Sequence, residues 1–553
     1  MAKNQMPEED MDFPIWAATM SQSSNRSLAG ARLVPPLDAL HGRELSERVI
    51  SQAGQWGMII ADADGTEHPD VTHAKANQGV SAESGCPGPA RPCDEEGRGV
   101  TDPDPDGSLH PGTKPAGSPQ ATTASDFDMT FGSVETMNDM RRVSGAEAIA
   151  WAQSRMPVLR GLLEELRTEV DFGSARIAAC LILEPKTAVL LRELKRAGAQ
   201  VGVYCEPGAV DQRVAEQLKR EGITVCADSS WDDDEARQGA LDLMDRIQPN
   251  LIIDDGASFA RLALRDRPEL AANLMGVAEE TTSGVRAFAA MEEDAALTFP
   301  VIAVNDSRMK TDFDNAHGTG ETCLTTMQDL LGAQCFQDQR VLVIGYGPVG
   351  RGFALGARAL GARVSVSDID PRAALRAVFD GFPALDTPQA LPRADMVISA
   401  TGVVHTVDLD DMRAMRPGAV LAVIGGIANE IALDRLPGRD LSQEDQVSTI
   451  EVPNGPELTL LSHGDGVNYT AGGGNPIEIM DLSFAVQVSA LAHLLRQGRN
   501  LAHRVHKLPD QVDRRIASLA LKVRGHQARR QACPSAQDWR TTRFDARRGS
   551  REA

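Results

Sequence analysis

Residues 340–370 read RVLVIGYGPVGRGFALGARALGARVSVSDID, and this stretch decides the fold prediction. Its opening apolar run, residues 341–344, is typical of a parallel strand that is buried on both faces. The run ends in a G-x-G-x-x-G turn at residues 345–350, and an Ala- and Leu-rich helical pattern follows. A second β-rich run covers residues 364–366. This order of strand, glycine turn, helix and strand predicts the first unit of a dinucleotide-binding domain.

Individual positions in this unit have physical roles in binding a dinucleotide. Gly345 allows the tight turn, Gly347 lets backbone N–H groups approach a pyrophosphate, and Gly350 lets the helix pack closely on the strand. The helix N-terminus adds partial positive charge for the phosphates. Asp368, at the end of the second strand, can accept hydrogen bonds from both ribose hydroxyls and would repel a 2′-phosphate. The sequence therefore predicts NAD rather than NADP, with an ordinary glycine-rich turn as the alternative.

Composition and charge exclude several classes of protein. A chain of 553 residues is long enough for about two or three domains, and 42% hydrophobic with 24% charged residues is ordinary for a globular protein. The net charge of −22 argues against a nucleic-acid partner. No apolar run approaches the length of a membrane span, and no secretory signal is recognisable. The eight cysteines form no C-x-x-C pair. We therefore expect a cytoplasmic protein with no metal site and no membrane partner.

The N-terminal region differs in composition from the rest of the chain. Residues 1–62 make no recognisable unit, although residues 40–52 could form a helix and residues 56–61 a strand. Residues 63–140 are rich in Gly, Pro, Asp, Ser and Thr. Such a segment buries too little apolar surface to offset the entropy of ordering, so we interpret it as a disordered linker, with a regulatory binding segment as the alternative.

After the linker, short apolar runs alternate with helical patterns. The strand-like runs lie at residues 177–183, 201–204, 223–226, 251–253 and 301–304. This rhythm predicts a doubly wound parallel sheet, whose ligands gather beyond the carboxyl ends of the strands. Asp254 and Asp255 fall at such an end.

The predicted fold class is α/β, with two doubly wound parallel-sheet domains after a largely disordered N-terminal extension. Further strands at residues 396–401 and 420–425 extend the glycine-turn unit to a six-stranded Rossmann sheet. The predicted boundaries are residues 141–318 for the first part of a substrate domain, 319–470 for the NAD domain, 471–523 for the return to the substrate domain, and 524–553 for a basic, solvated tail.

Ordered motifs from about residue 145 to residue 521 resemble those of the S-adenosyl-L-homocysteine hydrolase family. They are MP at 156–157, ARIA-CL at 175–181, DDG at 254–256, EETT-GV at 279–285, VNDS--K--FDN at 304–315, GYG-VG at 345–350, IDP at 369–371, TG at 401–402, IG----EI at 424–431 and VN at 467–468. The resemblance implies that bound NAD oxidises a ribose 3′-hydroxyl, a base removes the C4′ proton, and the C5′ group leaves before water adds. It also implies a nucleoside-type substrate and a homo-oligomer, tetramer or dimer.

The resemblance assigns roles to residues that match the family motifs. Lys310 and Asp314 match the pair that positions and deprotonates the 3′-hydroxyl; in isolation they would read as a surface i,i+4 ion pair. Asp255 matches the carboxylate that removes the C4′ proton, and Glu280 matches the acceptor for the ribose hydroxyls. The glycine turn and the resemblance together predict NAD contacts at Thr281, Thr282, Ser283, Asn315, Gly345, Gly347, Val349, Gly350, Asp368, Thr401, Gly402, Ile424, Gly425 and Asn468.

The chain departs from the family pattern where the substrate is recognised. Ile182 replaces the histidine that serves the leaving group and water, and it cannot transfer a proton. Glu184 and Lys186 replace the Thr and Glu that read the adenine ring, so a donor stands where an acceptor is expected. Gly426 and Asn475 replace two further family histidines. The predicted substrate-pocket residues are Glu184, Lys186, His317 and Asn475.

Three functions are compatible with this pattern. The first is an NAD-dependent nucleoside enzyme that works by 3′-oxidation and elimination at C5′, with His317 as the candidate replacement for the lost proton shuttle. The second is a divergent hydrolase of S-adenosyl- or S-inosyl-homocysteine, in which Lys186 faces a 6-oxo purine. The third is a non-catalytic NAD-binding regulator. The retained oxidation residues favour the first two, and the rewritten substrate positions rank the first ahead.

Overall fold

The computed structural model describes residues 143–427, 429–436, 445–526 and 528, and three short strands nearer the N-terminus. The three strands are β1 (Arg32–Val34), β2 (Ile59–Ile60) and β3 (Asp128–Thr130), paired in parallel in the order β2-β1-β3. β2 lies where a strand is predicted, and β3 lies inside the segment interpreted as a linker. The remainder of that linker, the predicted helix at 40–52 and the tail beyond residue 528 lie outside the described residues.

A seven-stranded parallel sheet organises the first domain. Its strands are β4 (Arg176–Cys180), β5 (Gln200–Tyr204), β6 (Thr224–Cys226), β7 (Leu251–Asp254), β8 (Gly276–Glu279), β9 (Val301–Ala303) and β16 (Val505–His506). Their order is β16-β9-β8-β7-β4-β5-β6. Ile253 packs into the core on one face and Ile252 into the core on the other. Because both faces are covered, the strands read as continuous apolar runs.

Helices cover both faces of this sheet. Those between residues 145 and 293 are α1 (Gly145–Ser154), α2 (Pro157–Leu166), α3 (Pro185–Arg196), α4 (Gln212–Arg220), α5 (Asp233–Ile247), α6 (Ser258–Asp266), α7 (Pro268–Ala272) and α8 (Thr282–Glu293). After β9, one helical turn (Arg308–Lys310) runs into a π-helical segment, Thr311–Thr319, which continues as α9 (Gly320–Leu331). The π-helical segment therefore lies between the two sheets in the chain.

The second domain contains a six-stranded sheet of Rossmann type. Its strands are β10 (Arg340–Ile344), β11 (Arg363–Ser367), β12 (Met396–Ser399), β13 (Val420–Val423), β14 (Val447–Glu451) and β15 (Glu457–Leu461), in the order β11-β10-β12-β13-β15-β14. Only the β14–β15 pair is antiparallel. Its helices are α10 (Pro348–Ala359), α11 (Pro371–Phe379), α12 (Thr387–Ala390) and α13 (Leu409–Ala414). The prediction of two doubly wound α/β sheets is confirmed; the exact domain boundaries stay predictions.

Three helices follow the second sheet in the described part of the chain: α14 (Val467–Thr470), α15 (Ile477–Gln497) and α16 (Asp510–Val523). The stretch Ile477–Asn500, which contains α15, is long and apolar enough to cross a membrane by length and composition. The expectation that no apolar run approaches that length is therefore wrong for this stretch. Most of it lies buried inside the protein, where α15 packs on α2, as expected for a core helix.

Asp481 connects α15 to the start of α2. Met156, which precedes α2, provides no side-chain cap. Asp481 replaces that cap from α15: its carboxylate accepts the backbone N–H of Val158 at 2.9 Å and of Leu159 at 2.7 Å. Burial raises the pKa of Asp481 to about 7, against the effect of these two hydrogen bonds. The helix N-terminus is thus satisfied by a residue more than three hundred positions away in the chain.

We expect Asp481→Ala to destabilise the first domain by about 1–3 kcal/mol, because two buried N–H donors lose their acceptor. Urea unfolding followed by circular dichroism measures this change. Asp510→Ala is the matched control, since Asp510 lies in the first turn of α16 with an exposed side chain. Equal unfolding midpoints for the two variants would contradict the capping role.

Candidate active site

Two pairs of acidic residues end the neighbouring strands β7 and β8, and their surroundings differ. Asp254 lies opposite Glu279 in the sheet register, and both are buried. Asp254 accepts the backbone N–H groups that begin α6, at 2.8 and 3.0 Å. Glu279 accepts backbone N–H groups from the turn after β7 and from Thr281. Burial raises the pKa of Asp254 to about 7 and raises that of Glu279 as well. These two carboxyls hold the strand ends together.

The next residue on each strand is available for chemistry. Asp255 follows β7 and Glu280 follows β8. Because side chains alternate along a strand, both face away from Asp254 and Glu279. Burial raises the pKa of Asp255, while Lys310 and a hydrogen bond from Thr281 lower it; the net direction is upward. A carboxyl with a raised pKa is a stronger base once ionised.

Lys310 lies at the centre of a buried polar cluster. Its side chain donates to Asn315 Oδ1 at 2.8 Å and to Asp314 Oδ1 at 3.3 Å, and Glu280 Oε1 lies 4.0 Å from Nζ. Burial would lower the pKa of Lys310, but Asp314, Glu280 and Asp255 outweigh it and raise the pKa. Lys310 is only 4% exposed, so the alternative of a surface ion pair is wrong.

The π-helical segment explains how two residues reach Lys310 at once. In an α-helix the residue four positions on faces a given side chain, whereas a π-helix brings the fifth residue onto the same face. Asp314 and Asn315 are the fourth and fifth residues after Lys310, and both accept its hydrogen bonds. Asn315, predicted to contact NAD, thus also belongs to the Lys310 cluster, where its amide donates to Asn305 Oδ1 at 2.9 Å.

Asp314 is held by donors from three directions. Besides Lys310, the amide of Asn475 donates to Oδ1 at 2.9 Å and the hydroxyl of Ser483 donates to Oδ2 at 2.7 Å. Asn468 donates to Asn475 Oδ1 at 3.0 Å. Asn475, which replaces a family histidine, therefore connects Asp314 to the residue predicted to lie beside the nicotinamide.

Glu280 is buried, at 7% exposure, and has one oxygen without a hydrogen-bond partner. Gln487 donates to Oε2, and Oε1 is the atom that faces Lys310. Burial raises the pKa of Glu280 to about 8; Asp314 and Asp255 also raise it, whereas Lys310 and Gln487 lower it. An unpartnered buried oxygen is expected where a bound molecule supplies a donor.

Sequence reasoning missed three residues of this cluster, namely Asn305, Ser483 and Gln487. Thr282 and Asn315 both donate to Asn305 Oδ1. Ser483 and Gln487 are fully buried polar residues four positions apart in the largely apolar helix α15. That spacing places them on one face, and two polar residues on a core-facing stripe are the signal that could have found them.

The glycine turn after β10 forms a cradle that fits a dinucleotide. A side chain at Gly350 would lie 2.0 Å from Gly345 O, and Gly345 itself has a φ of 97°. A side chain at Gly347 would meet nothing within 4 Å, so this face of the turn is open to a ligand. Asp368 accepts the backbone N–H of Tyr346 at 2.6 Å, which fixes the carboxylate beside the turn. These residues fit the pyrophosphate and ribose of NAD.

Thr401 and Gly402 after β12, and Ile424 and Gly425 after β13, are predicted NAD contacts at the carboxyl ends of neighbouring strands. Thr401 and Gly402 follow β12, and their backbone N–H groups donate to Glu430 Oε1 at 2.7 and 3.0 Å. Gly425 follows β13 and has no room for a side chain, because Glu430 Oε2 would lie 2.0 Å away. Arg286 of α8 donates to Thr401 O at 2.8 Å. The start of α8, with the predicted contacts 281–283, thereby lies close to this edge of the NAD domain.

The substituted pocket residues form an ion pair. Lys186 lies 2.7 Å from Glu184 and donates to Gly473 O at 3.1 Å. Burial raises the pKa of Glu184, and Lys186 opposes that rise. His317 is not part of this group, because it lies on the π-helical segment with much of its surface exposed. The buried part of its ring and the charge of Arg351 lower its pKa. Within the part of the chain that the structure describes, no hydrogen bond or ion pair joins His317 to Lys310 or Asp314.

These features define an NAD-binding α/β enzyme with a buried acid–base cluster at the edge of a second parallel sheet. Residues 327–474 match the family model described as S-adenosyl-L-homocysteine hydrolase, NAD binding domain, and residues 135–267 match the one described as S-adenosyl-L-homocysteine hydrolase. The chain belongs to the S-adenosyl-L-homocysteine hydrolase family of NAD-dependent enzymes. The family and the cofactor predicted from the sequence are confirmed.

Several curated relatives are similar over most of their length. The adenosylhomocysteinase of Thermotoga maritima is 38% identical over 389 residues, which cover 69% of this chain and 95% of that protein. The S-inosyl-L-homocysteine hydrolase of Methanopyrus kandleri is 36% identical over 386 residues, covering 69% and 91%. The adenosylhomocysteinase of Thermococcus kodakarensis is 37% identical over 389 residues, covering 69% and 91%.

We expect Asp368→Ala to reduce the preference for NAD over NADP by about tenfold, because one lost charge-assisted acceptor is worth about 1–3 kcal/mol. Calorimetric titration of both nucleotides into the protein measures the ratio. Asp370→Ala is the control, since Asp370 caps α11 and pairs with exposed Arg372. An unchanged ratio in Asp368→Ala would exclude this residue as the ribose acceptor.

Proposed function

We propose that the protein acts on a nucleoside-type substrate by 3′-oxidation, C4′ proton removal and elimination at C5′. The observation that carries the proposal is the buried cluster of Lys310, Asp314 and Glu280, with Asp255 within its electrostatic reach. NAD, when bound, supplies the reversible oxidation of the ribose 3′-hydroxyl. The buried cluster also argues against a non-catalytic regulator, because buried titratable groups with perturbed pKa values cluster at catalytic sites.

The chain's own residues divide the proton transfers between two places. Lys310 donates a hydrogen bond to the 3′-oxygen. As the hydroxyl is oxidised, its proton passes to Lys310, and Lys310 passes a proton to Asp314 Oδ1, which lies 3.3 Å from Nζ. Glu280 accepts a ribose hydroxyl on its unpartnered Oε1. Asp255, at the end of β7, removes the C4′ proton once the neighbouring carbon is a ketone.

The leaving-group end of the pocket supports a reaction that ends or begins at elimination. Ile182, half-buried after β4, replaces the residue that would give a proton to the leaving group and take one from the attacking water. His317 is exposed and has no contact with the Lys310 cluster among the described residues. In the proposed hydro-lyase, Asp255 returns the proton that it takes from C4′ to the departing C5′ oxygen, so that water leaves and no second proton donor is needed.

A second candidate is hydrolysis of S-adenosyl- or S-inosyl-homocysteine. Lys186 favours the inosyl form, because a buried ammonium beside Gly473 can donate to a 6-oxo group where the family has a carboxylate that accepts from a 6-amino group. A relative with 36% identity is named S-inosyl-L-homocysteine hydrolase. Incubation with each thioether and each parent nucleoside separates the candidates: thiol release supports hydrolysis, and loss of water from a nucleoside, seen by mass, supports the hydro-lyase.

The proposal for the assembly rests on the family resemblance, and the proposal for the location rests on the composition of the chain. We propose a homo-oligomer, tetramer or dimer, in the cytoplasm. Light scattering of the purified full-length chain gives its mass in solution, and a monomer at micromolar concentration would contradict the assembly.

Two substitutions separate oxidation from proton removal. We expect Lys310→Met to abolish formation of reduced nicotinamide on adding the substrate, because the 3′-hydroxyl loses its proton path. We expect Asp255→Asn to form reduced nicotinamide but to lose about 10²–10⁴-fold in turnover, the usual contribution of a general base. Rapid-mixing absorbance of reduced nicotinamide and product analysis give both values.

Asp312→Asn is the matched control, because Asp312 belongs to the same π-helical segment but is half-exposed and pairs with Arg308. It should keep wild-type rates. Wild-type turnover in Asp255→Asn, or normal reduction in Lys310→Met, would contradict the assigned roles.

A further inference from the structure

Helix α15 carries two buried polar side chains that contact the reactive carboxylates. The hydroxyl of Ser483 donates to Asp314 Oδ2 at 2.7 Å, and the amide of Gln487 donates to Glu280 Oε2. Both side chains are fully buried, and the residues are four positions apart on one face of the helix. A hydroxyl and an amide in a core are costly unless their hydrogen bonds matter.

We infer that Ser483 and Gln487 are positioning residues of the oxidation site, an inference that rests on the proposed function. They act through Asp314 and Glu280 and do not themselves touch the reacting atoms. Their common helix is fixed to the fold by Asp481, which caps α2 and lies two residues before Ser483 and six residues before Gln487. A single rigid element thus sets the orientation of both carboxylates.

Ser483 determines which oxygen of Asp314 accepts the hydrogen bond of Lys310. With Oδ2 held by the hydroxyl, Oδ1 is left to Lys310 at 3.3 Å and to Asn475 at 2.9 Å. Without the hydroxyl, the carboxylate can rotate and exchange its oxygens between these donors. The path from Lys310 to Asp314 would then be correctly aligned for only part of the time.

Gln487 determines which oxygen of Glu280 faces the substrate. With Oε2 held by the amide, Oε1 has no hydrogen-bond partner and lies 4.0 Å from Lys310 Nζ. The charged groups that act on Glu280 are Lys310, Asp314 and Asp255. Lys310 lowers the pKa of Glu280 through its charge, and Gln487 lowers it through a hydrogen bond. Gln487 therefore favours the ionised carboxylate, which can accept a ribose hydroxyl.

The test uses Gln487→Leu and Ser483→Ala in the full-length protein with its bound cofactor. Carbon NMR of carboxyl-labelled protein without substrate should show the pKa of Glu280 rising by about one unit in Gln487→Leu, because the ionised form loses a donor. The acid limb of the kcat/KM profile should move to higher pH by the same amount, because Glu280 must be ionised to accept.

Ser483→Ala should lower kcat by about tenfold with KM changed less than about twofold, and Ser483→Thr should restore the rate because its hydroxyl is retained. Ser489→Ala is the matched control: Ser489 is buried on the same helix, but its hydroxyl donates to Ala485 O of that helix. Ser489→Ala should leave kcat, the titration of Glu280 and the pH profile of kcat/KM unchanged. The thermal unfolding midpoint of each variant identifies loss of folding.

Two results would overturn the inference. One is a pKa of Glu280 that does not move in folded Gln487→Leu, and the other is a Ser483→Ala rate equal to that of Ser489→Ala. A wild-type protein that oxidises no nucleoside would instead overturn the proposed function. In that case the Glu280 titration, which needs no substrate, still decides whether Gln487 positions the carboxylate.

Discussion

The arrangement of the active site depends on one buried ammonium group. Lys310 is 4% exposed and lies among Asp314, Glu280 and Asp255, whose charges together outweigh the effect of burial and raise its pKa. Removing an ammonium from water is costly, and it is tolerated only where opposite charges and hydrogen bonds surround it. Because the carboxyls come from β7, β8 and the π-helical segment, the requirement to satisfy Lys310 fixes the relative positions of all three.

The same arrangement links the two sheets. The π-helical segment that carries Asp314 continues into α9 and packs against α10, the helix that begins in the glycine cradle. At that contact a side chain on Gly352 would lie 1.9 Å from Ala316 O, so only glycine allows the two helices to approach so closely. Through Asn475 and Asn468, hydrogen bonds run from the lysine cluster toward the predicted nicotinamide position. Substrate and cofactor are therefore served by one connected set of residues.

Much of the fold was predictable because its signals are local. The apolar run at 341–344, the glycine turn and Asp368 predict β10, the cradle and the end of β11, since strand burial and turn geometry depend on neighbouring residues. The Lys310–Asp314 spacing likewise predicts a contact, although sequence alone does not show that the pair is buried. The family resemblance assigns Asn315 to the cofactor, and sequence alone does not show that it also accepts from Lys310, because a π-helix has no clear sequence signal.

Long-range partners were harder to predict. Ser483 and Gln487 act on residues about 170 and 210 positions away, and their apolar neighbours in α15 make the segment read as an ordinary core helix. Likewise, the Glu184–Lys186 substitution looked like a mismatched pocket wall, yet the two residues neutralise each other. The contacts of Ser483 and Gln487 are set by tertiary packing, which single-sequence patterns do not record, whereas Glu184 and Lys186 are only two positions apart.

The most direct test of the account is hydrogen exchange at C4′ of a nucleoside in heavy water. Proton removal by Asp255 requires prior oxidation at C3′ but does not require the C5′ group to leave. The account predicts that the C4′ proton signal of a bound nucleoside is lost and replaced by deuterium, at a rate that Lys310→Met abolishes and Asp255→Asn lowers by about 10²–10⁴-fold. Retention of the C4′ proton with every purine nucleoside, in protein shown to contain NAD, would contradict it.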